Sequence, residues 1–499
     1  MGFSAFRYHG RAMADLQVRT RFAPSPTGEL HLGNARTALF NALLARREGG
    51  RFLLRIEDTD VDRSREAYVA ALQEDLRWLG LRWEGFPDAD GEPLRQSRQS
   101  DIYAHYFCQL QTQGAAYPCF CSPEELAAVR QAQRAGGQPP RYPGTCAGLN
   151  QQDVEARSAQ GARPTLRFRV PSGETVAFDD LVRGQQVFRT DDIGDFIIRR
   201  ADGTAAFFFS NALDDALMAI SHVLRGEDHI ANTPRQLLLL RALGLQEPHY
   251  GHLALIVGPD SRPLSKRHGD SSLRELREAG YLPYAVNNYL ARLGHAYARE
   301  DLLTITELAE GFDLRRLGRA PAQHNETQLH YWQREAIAAT TDAALWAWLS
   351  EYAHEGTKGI NQFVPDEQAL AFSATIRENV QRPHEAMYWA KNFFGGTLER
   401  DAEAIVTIRS AGAAFFKAAL RCMEDDPATF QEFSRSVGKL TGVKGKRLFM
   451  PLRAAMTGFK AAGQPAAGWQ HGPELGRIWS LLGVATVHRR LQAALSHCE

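Results

Sequence analysis

Val18-Arg19-Thr20-Arg21-Phe22-Ala23-Pro24 alternates like a strand and runs into Pro24-Ser25-Pro26-Thr27-Gly28, a turn that proline and glycine enforce. A helix is expected next, because Ala35, Leu39, Ala42 and Leu43 recur at helical spacing and Gly49-Gly50 closes the segment. Arg51-Phe52-Leu53-Leu54-Arg55-Ile56 then reads as a buried strand. Strand, helix, strand is a βαβ unit, which predicts a parallel α/β sheet with a right-handed crossover and a ligand crevice at the strand ends.

Outward from this unit, Phe207-Phe208-Phe209 opens a helical stretch followed by His222-Val223-Leu224-Arg225, where the second half of the sheet is expected to resume. The interval 101–206 is then an insertion. Beyond residue 300 the pattern turns helical, rich in Ala, Leu, Arg and Glu, and predicts an all-helical C-terminal third. A Gly/Ala-rich patch at 461–468 reads as a surface loop.

At 499 residues the chain is too long for one core and predicts several domains. With 44% hydrophobic and 23% charged residues it has the balance of a folded soluble protein, which argues against extended disorder. No apolar run spans a bilayer, and Met1 to His9 carries no apolar signal core, so a cytoplasmic protein without a membrane partner is expected. Phe6 sits where a myristoylation signal needs Ser or Thr, and Met13 is an alternative start. Lys plus Arg and Asp plus Glu number 58 each, so any nucleic-acid site must be a local cluster of cations. Of six cysteines, only Cys119, Cys121 and Cys146 lie close enough in sequence to form a ligand set.

Two elements carry the chemistry. His31-Leu32-Gly33-Asn34 stands at a helix start, where backbone N–H groups attract phosphate, Gly33 admits a nucleotide close to the backbone, and His31 donates to a phosphoryl oxygen. Downstream, the basic stretch Arg262-Pro263-Leu264-Ser265-Lys266-Arg267-His268-Gly269 offers a lysine able to reach a triphosphate and stabilise leaving pyrophosphate.

In this order and on these elements, the two resemble the HIGH and KMSKS signatures of class I aminoacyl-tRNA synthetases. Arg21-Phe22-Ala23-Pro24-Ser25-Pro26-Thr27-Gly28, Arg55-Ile56-Glu57-Asp58-Thr59-Asp60 and Arg225-Gly226-Glu227-Asp228-His229, with Asn232-Thr233-Pro234, look like the bacterial-type glutamyl-tRNA synthetase family. Glutaminyl relatives usually carry Pro-Pro-Glu-Pro-Asn-Gly where this chain has Ala23 to Gly28. Gly445 to Arg453 and His471 to Leu475 resemble the family's anticodon-binding region. The related short enzymes that glutamylate a queuosine-modified tRNA lack that region.

The resemblance implies an N-terminal extension at 1–18 and a Rossmann-like catalytic domain at 19–100 and 207–257. It further implies an acceptor-stem-binding insertion at 101–206, a stem-contact domain with the KMSKS-like loop at 258–342, and an anticodon-binding region at 343–499. His31 and Lys266 become the catalytic candidates, with Gly33, Asn34, Ser265 and Arg267 joining them around ATP. Choosing glutamate over glutamine requires a fixed cation facing the side-chain carboxylate. Arg21 and Arg225 match family positions that supply it, Glu57 matches the acceptor for the α-amino group, and Ser25 and Asn211 match or lie near polar lining positions. Phe207 departs from the Tyr of many relatives, which puts the pocket's detail in question.

Three thiolates suit Zn²⁺, which takes four tetrahedral ligands. Some relatives place a His two residues after the third Cys, where this chain has Gly148, whereas Tyr142 resembles the fourth ligand of the short paralogues. A structural zinc site and a set of buried free thiols are the two readings. In the tail, Lys439, Lys444, Lys446, Arg447 and Arg453 cluster around Leu448, Phe449 and Met450, a composition suited to phosphates and splayed bases.

What the resemblance implies chemically is attack of the glutamate α-carboxylate on the α-phosphorus of ATP, with Mg²⁺ on the phosphates. Transfer to the 2′ hydroxyl of the terminal adenosine of tRNA-Glu follows, with tRNA-Gln in addition or instead as an alternative. A monomer is the family's usual state. The competing readings are an adenylating enzyme that uses no RNA and a paralogue that binds tRNA or a partner without catalysis.

Overall fold

The computed structural model describes residues 17–60, 64–86, 92–262, 264, 272–352, 354–355, 358–459 and 472–499. Nearly all of the 1–18 extension and the whole 461–468 patch lie outside them. The chain forms two compact units, one of residues 1–275 and 286–326, the other of 276–285 and 327–499.

In the first unit the expected βαβ unit is present. Strand Arg19–Phe22 and strand Arg51–Ile56 run parallel, in register from Arg19 opposite Arg51 to Phe22 opposite Leu54. Helix Leu32–Arg47 crosses between them and buries Leu32, Ala35, Ala38, Leu39, Phe40, Leu43 and Leu44. Its exit needs Gly50, where a Cβ would stand 2.1 Å from the Val18 carbonyl oxygen. Leu94–Arg95 adds a third parallel strand beside Arg51–Ile56.

The second half of the sheet is the parallel pair His222–Gly226 and His249–Leu253. It meets the first half where Ser221 N donates to Arg19 O at 3.0 Å and Arg19 N to Ser221 Oγ at 2.8 Å. From strand Arg19–Phe22 the first half extends one way, and from His222–Gly226 the second half extends the other. The reversal of strand order falls between these two strands, the place where open α/β sheets bind ligands, at the carboxyl ends. Arg21 and Arg225 stand at this point, one on each strand.

The segment between the two halves contributes an antiparallel sheet of Ala116–Cys119, Thr165–Phe168 and Phe196–Arg199, and a hairpin of Thr175–Asp180 with Gly184–Arg189. One hydrophobic core runs under this segment and the parallel sheet alike, with Tyr103, Phe107, Phe168 and Phe196 beside Val223 and Tyr250. The hairpin turn also bonds to the sheet directly, Leu181 N to Tyr250 O at 2.8 Å.

Among its described residues the second unit is helical apart from loops and a two-residue ladder, His354–Glu355 against Lys358–Gly359. Phe372, Phe416, Phe433, Leu452, Ile478 and Leu491 lie in its core. Two segments that read as single helices are broken by glycine. Gly412 (φ 80°, ψ 162°) interrupts Ala402–Met423 and Gly483 (φ 72°, ψ 160°) interrupts Leu475–Ser496, conformations that residues with a Cβ scarcely adopt. No helix among the described residues is long and apolar enough to cross a membrane.

Candidate active site

His31 caps the first helix, its Nδ1 accepting from Gly33 N at 3.2 Å, and the ring lies at the surface. A Cβ on residue 33 would come within 3.1 Å of that ring, so glycine permits the cap and keeps the helix start open. Asn34 is half-buried one residue further on. Ser265, Lys266 and Arg267 lie outside the described residues, but both flanks of their loop are fixed. Leu264 N donates to Ile256 O at 3.2 Å, and on the return Ser272 bridges His31 while Leu273 N donates to Leu30 O at 2.8 Å. The described return flank at Ser272 and Leu273 therefore lies beside the helix start that carries His31.

Behind this edge lies a buried network of charge. Arg21 donates from Nε to Asp215 Oδ1 at 3.0 Å and from Nη2 to Oδ2 at 3.3 Å. Arg55 donates to the same Oδ1 at 2.6 Å and to Glu57 Oε1 at 3.1 Å. Burial alone would raise the Asp215 carboxyl, but Arg21 and then Arg55 outweigh it and hold it below the ordinary range. Burial likewise disfavours charged Arg55, and Asp215 and Glu57 more than compensate. Asn211 Nδ2 donates to Glu57 Oε1 at 2.6 Å, and Gln236 Nε2 to Asn211 Oδ1 at 2.7 Å. Both hydrogen bonds to the Glu57 side chain thus fall on Oε1. Next to them, burial pushes Asp214 up to about 6, with Gln96 and Tyr103 donating to its Oδ2 at 2.7 and 2.8 Å.

Arg225 differs from the other two arginines. It is 5% exposed, and its partners are neutral: Thr233 Oγ1 and Gln236 Oε1, each at 2.7 Å, and His252 Nε2 at 3.2 Å. Tyr250 stacks under the guanidinium at 5.0 Å. Nη1 is buried without a hydrogen-bond partner. Burial pushes this arginine down to about 10, still charged at neutral pH. A buried cation whose contacts are neutral, with one donor unused, can receive an anion, since unpaired burial is costly.

Of the other pocket candidates, Ser25 is exposed, its carbonyl accepting from Thr27 N at 2.9 Å, and Asn211 is buried in the network. Phe207 packs its ring 5.5 Å from that of His229, which burial, and then Arg225, hold below the usual histidine range. Asp215, Gln236, His252 and Asp180 belong to the network although no sequence motif marks them. An arginine inside the apolar strand Arg51–Ile56 and the acidic pair Asp214-Asp215 inside an apolar helix are the signals that pointed there.

Cys119, Cys121 and Cys146 come together with their sulfurs within 4.8 Å of one another, Cys121 and Cys146 at 3.7 Å. The Tyr142 hydroxyl stands 3.4 Å from Cys119 Sγ and 3.6 Å from Cys121 Sγ, and accepts from Cys146 N at 2.8 Å. Tetrahedral zinc with bonds near 2.3 Å sets its sulfurs about 3.8 Å apart, so the donor set fits.

In the second unit Lys444, Lys446 and Arg447 are exposed around the start of helix Lys446–Thr457, with Phe449 beside them at 41% exposure. Arg453 is placed differently. Its Nη1 donates to the carbonyls of Gly472 and Pro473, at 3.2 and 2.5 Å, and ties the chain on either side of the 460–471 segment together.

Residues 17–331 match the family described as tRNA synthetases class I (E and Q), catalytic domain, and residues 343–495 match an anticodon binding domain. A protein named glutamate–tRNA ligase 2 from Nitrosococcus oceani is 55% identical over 477 residues, covering 95% of this chain and 98% of that one. Another of that name from Alkalilimnicola ehrlichii is 53% identical over 489 residues, covering 97% and 98%. The crystal structure of a glutamate tRNA ligase from Elizabethkingia meningosepticum, in complex with its amino acid, matches with a TM-score of 0.84 at 27% identity. It covers 97% of this chain and 100% of that one.

Proposed function

The chain belongs to the class I tRNA synthetases of the glutamate and glutamine type, and from this we infer that it is a glutamate–tRNA ligase, activating L-glutamate with ATP and esterifying it to tRNA. The observation that carries the choice of amino acid is Arg225, a buried guanidinium held by neutral groups with Nη1 unpaired. A carboxylate satisfies it, whereas a carboxamide would leave the charge buried and uncompensated. Arg21 is committed to Asp215, so its part is to shape the pocket's field alongside any contact of its own. Glu57, with Oε2 outside its internal hydrogen bonds, accepts from the α-amino group, and Ser25 and Asn211 line the site.

The glutamate α-carboxylate attacks the α-phosphorus of ATP, forming glutamyl-adenylate and releasing pyrophosphate, with no side-chain nucleophile. His31, Gly33 and Asn34 at the helix start receive the nucleotide on one side. Ser265, Lys266 and Arg267 act on its phosphates, Ser272 further along the chain bridging His31, and His31 and Lys266 stabilise phosphoryl charge. Mg²⁺, when bound, supplies further neutralisation on the phosphates. The product ester forms on the terminal ribose of the tRNA.

Zinc in the Cys119, Cys121, Tyr142 and Cys146 set would brace the inserted segment, away from the chemistry. Lys444, Lys446 and Arg447, with exposed Phe449, suit contact with RNA in the tail, and Arg453 supports that surface from behind. The reading places a monomer in the cytoplasm. The catalytically degenerate alternative has nothing in its favour, since the pocket's charges are intact and ordered.

Charging of separate tRNA-Glu and tRNA-Gln transcripts with labelled glutamate, with ATP and Mg²⁺ present, tests the reading. Esterification of tRNA-Glu is expected, and the ratio between the two tRNAs tells a discriminating enzyme from a misacylating one. No esterification of either, by folded protein and with native modified tRNA also inert, would remove it.

A further inference from the structure

The neutral group on Arg225 Nε is the His252 ring, whose hydrogen bonds determine its own protonation. A guanidinium only donates, so His252 Nε2, 3.2 Å from Arg225 Nε, must carry a lone pair. The Thr233 hydroxyl, which accepts from Arg225 Nη2, lies 3.1 Å from the same nitrogen. The ring proton is therefore on Nδ1, which donates to Asp180 Oδ2 at 2.5 Å. His252 and Asp180 side chains are both fully buried. Asp180 is held from the other side: its Oδ1 accepts backbone N–H groups from Val182 at 2.9 Å, Arg183 at 2.8 Å and His252 at 3.2 Å. One carboxylate oxygen is fixed by the hairpin turn and the other fixes the histidine tautomer.

We propose that Asp180 and His252 are a positioning pair for Arg225, holding its guanidinium by an acceptor that carries no charge, so that the cation stays aimed and unneutralised for the side-chain carboxylate of glutamate. This rests on the glutamate–tRNA ligase reading. A carboxylate in place of His252 would orient Arg225 equally well but would cancel the charge that chooses acid over amide. A ring with its proton on Nε2 would set donor against donor. Asp180, which stands at the end of a strand in the inserted segment 101–206, prevents that by taking the proton on Nδ1.

Asp180→Asn is the sharpest probe, because it is isosteric and its orientation is already decided. Three backbone donors keep the amide oxygen in the Oδ1 position, so the NH₂ replaces Oδ2 and faces His252 Nδ1. The ring must then accept there and carry its proton on Nε2, against Arg225 Nε–H. In charging assays the KM for glutamate should rise about tenfold or more, with the KM for ATP changed by less than about twofold. His252→Gln should stay within about threefold of wild type, because its amide donates to Asp180 and accepts from Arg225, whereas His252→Leu should lose at least as much as Asp180→Asn. Thermal melting of each variant accompanies the kinetics.

An unchanged glutamate KM in Asp180→Asn, equal rises for glutamate and ATP, or a glutamine variant as impaired as the leucine one overturns the positioning pair. Wild-type protein that charges no glutamate overturns the functional reading itself, which these variants do not touch. Should the leucine variant fail to fold, the asparagine and glutamine variants decide the question alone.

Discussion

The arginines around Arg225 and the basic residues around Lys446 are alike in composition and opposite in physics. In the pocket, Arg21, Arg55 and Arg225 are at most 5% exposed, the first two paired with carboxylates and the third held by neutral acceptors. At the tail surface Lys444, Lys446 and Arg447 are exposed and their charge is shared with water. A buried cation is a commitment that the rest of the fold must balance, and its removal leaves other groups unpaired. An exposed cation adds a screened increment to a surface field. The first arrangement selects one functional group, and the second favours a class of polyanion.

That contrast can be broken at its strongest point by Asp215→Asn. Arg21 and Arg55 would share a neutral amide, leaving two buried guanidinium groups undercompensated, and about 3–5 kcal/mol of stability should be lost, read as a fall in melting temperature. A variant that melts like wild type would mean the pocket's charges are far less buried in effect than their exposure implies. Arg225→Gln should come next. It keeps the size and part of the hydrogen bonding but removes the charge, and kcat/KM for glutamate should drop about a hundred- to thousandfold while melting changes little.

Of intermediate size is the tail's own rigidity. Gly483→Ala forces a Cβ into φ 72°, ψ 160° and should cost about 1–3 kcal/mol, by denaturant titration of the full chain. A neutral result would show that the break in Leu475–Ser496 can heal into a continuous helix. Lys446→Ala should do least, raising the KM for tRNA by less than about tenfold, leaving the KM for glutamate alone, and lowering the salt dependence of tRNA binding by about one ion. If this surface substitution matched Arg225→Gln in size, the division between the two regions would not hold.

The difference also explains what could be read in the sequence. The parallel sheet, the helix start at His31 and the strand-end arginine Arg225 follow from local alternation, turn residues and motif spacing, and the structure has them. The partners of Arg225 do not. Asp180 and His252 are 72 residues apart and meet only because a hairpin in the inserted segment bonds to strand His249–Leu253, a relation no periodicity encodes. Arg453 sits in the same basic run as Lys446 and Arg447, yet its helix turns it onto the Gly472 and Pro473 carbonyls. Which face of that helix is outward depends on what packs beneath it. The breaks at Gly412 and Gly483 were likewise hidden, since a lone glycine in a helical pattern is compatible with an unbroken helix. The three cysteines were the exception among distant sets, because few residue types offer such ligands, while Tyr142 came from the likeness to the short paralogues; the structure brings all four side chains together.

A buried, uncancelled charge at Arg225 should tell an acid from its amide, and comparing labelled glutamate with labelled glutamine in tRNA charging by the wild-type protein tests this directly. Glutamate should be esterified and glutamine rejected by a factor of about 10⁴ or more in kcat/KM, the discrimination available to a site whose buried polar group would otherwise go unpaired. Comparable rates for the acid and the amide would contradict it, because the charge that the fold isolates at Arg225 would then have no part in choosing the substrate.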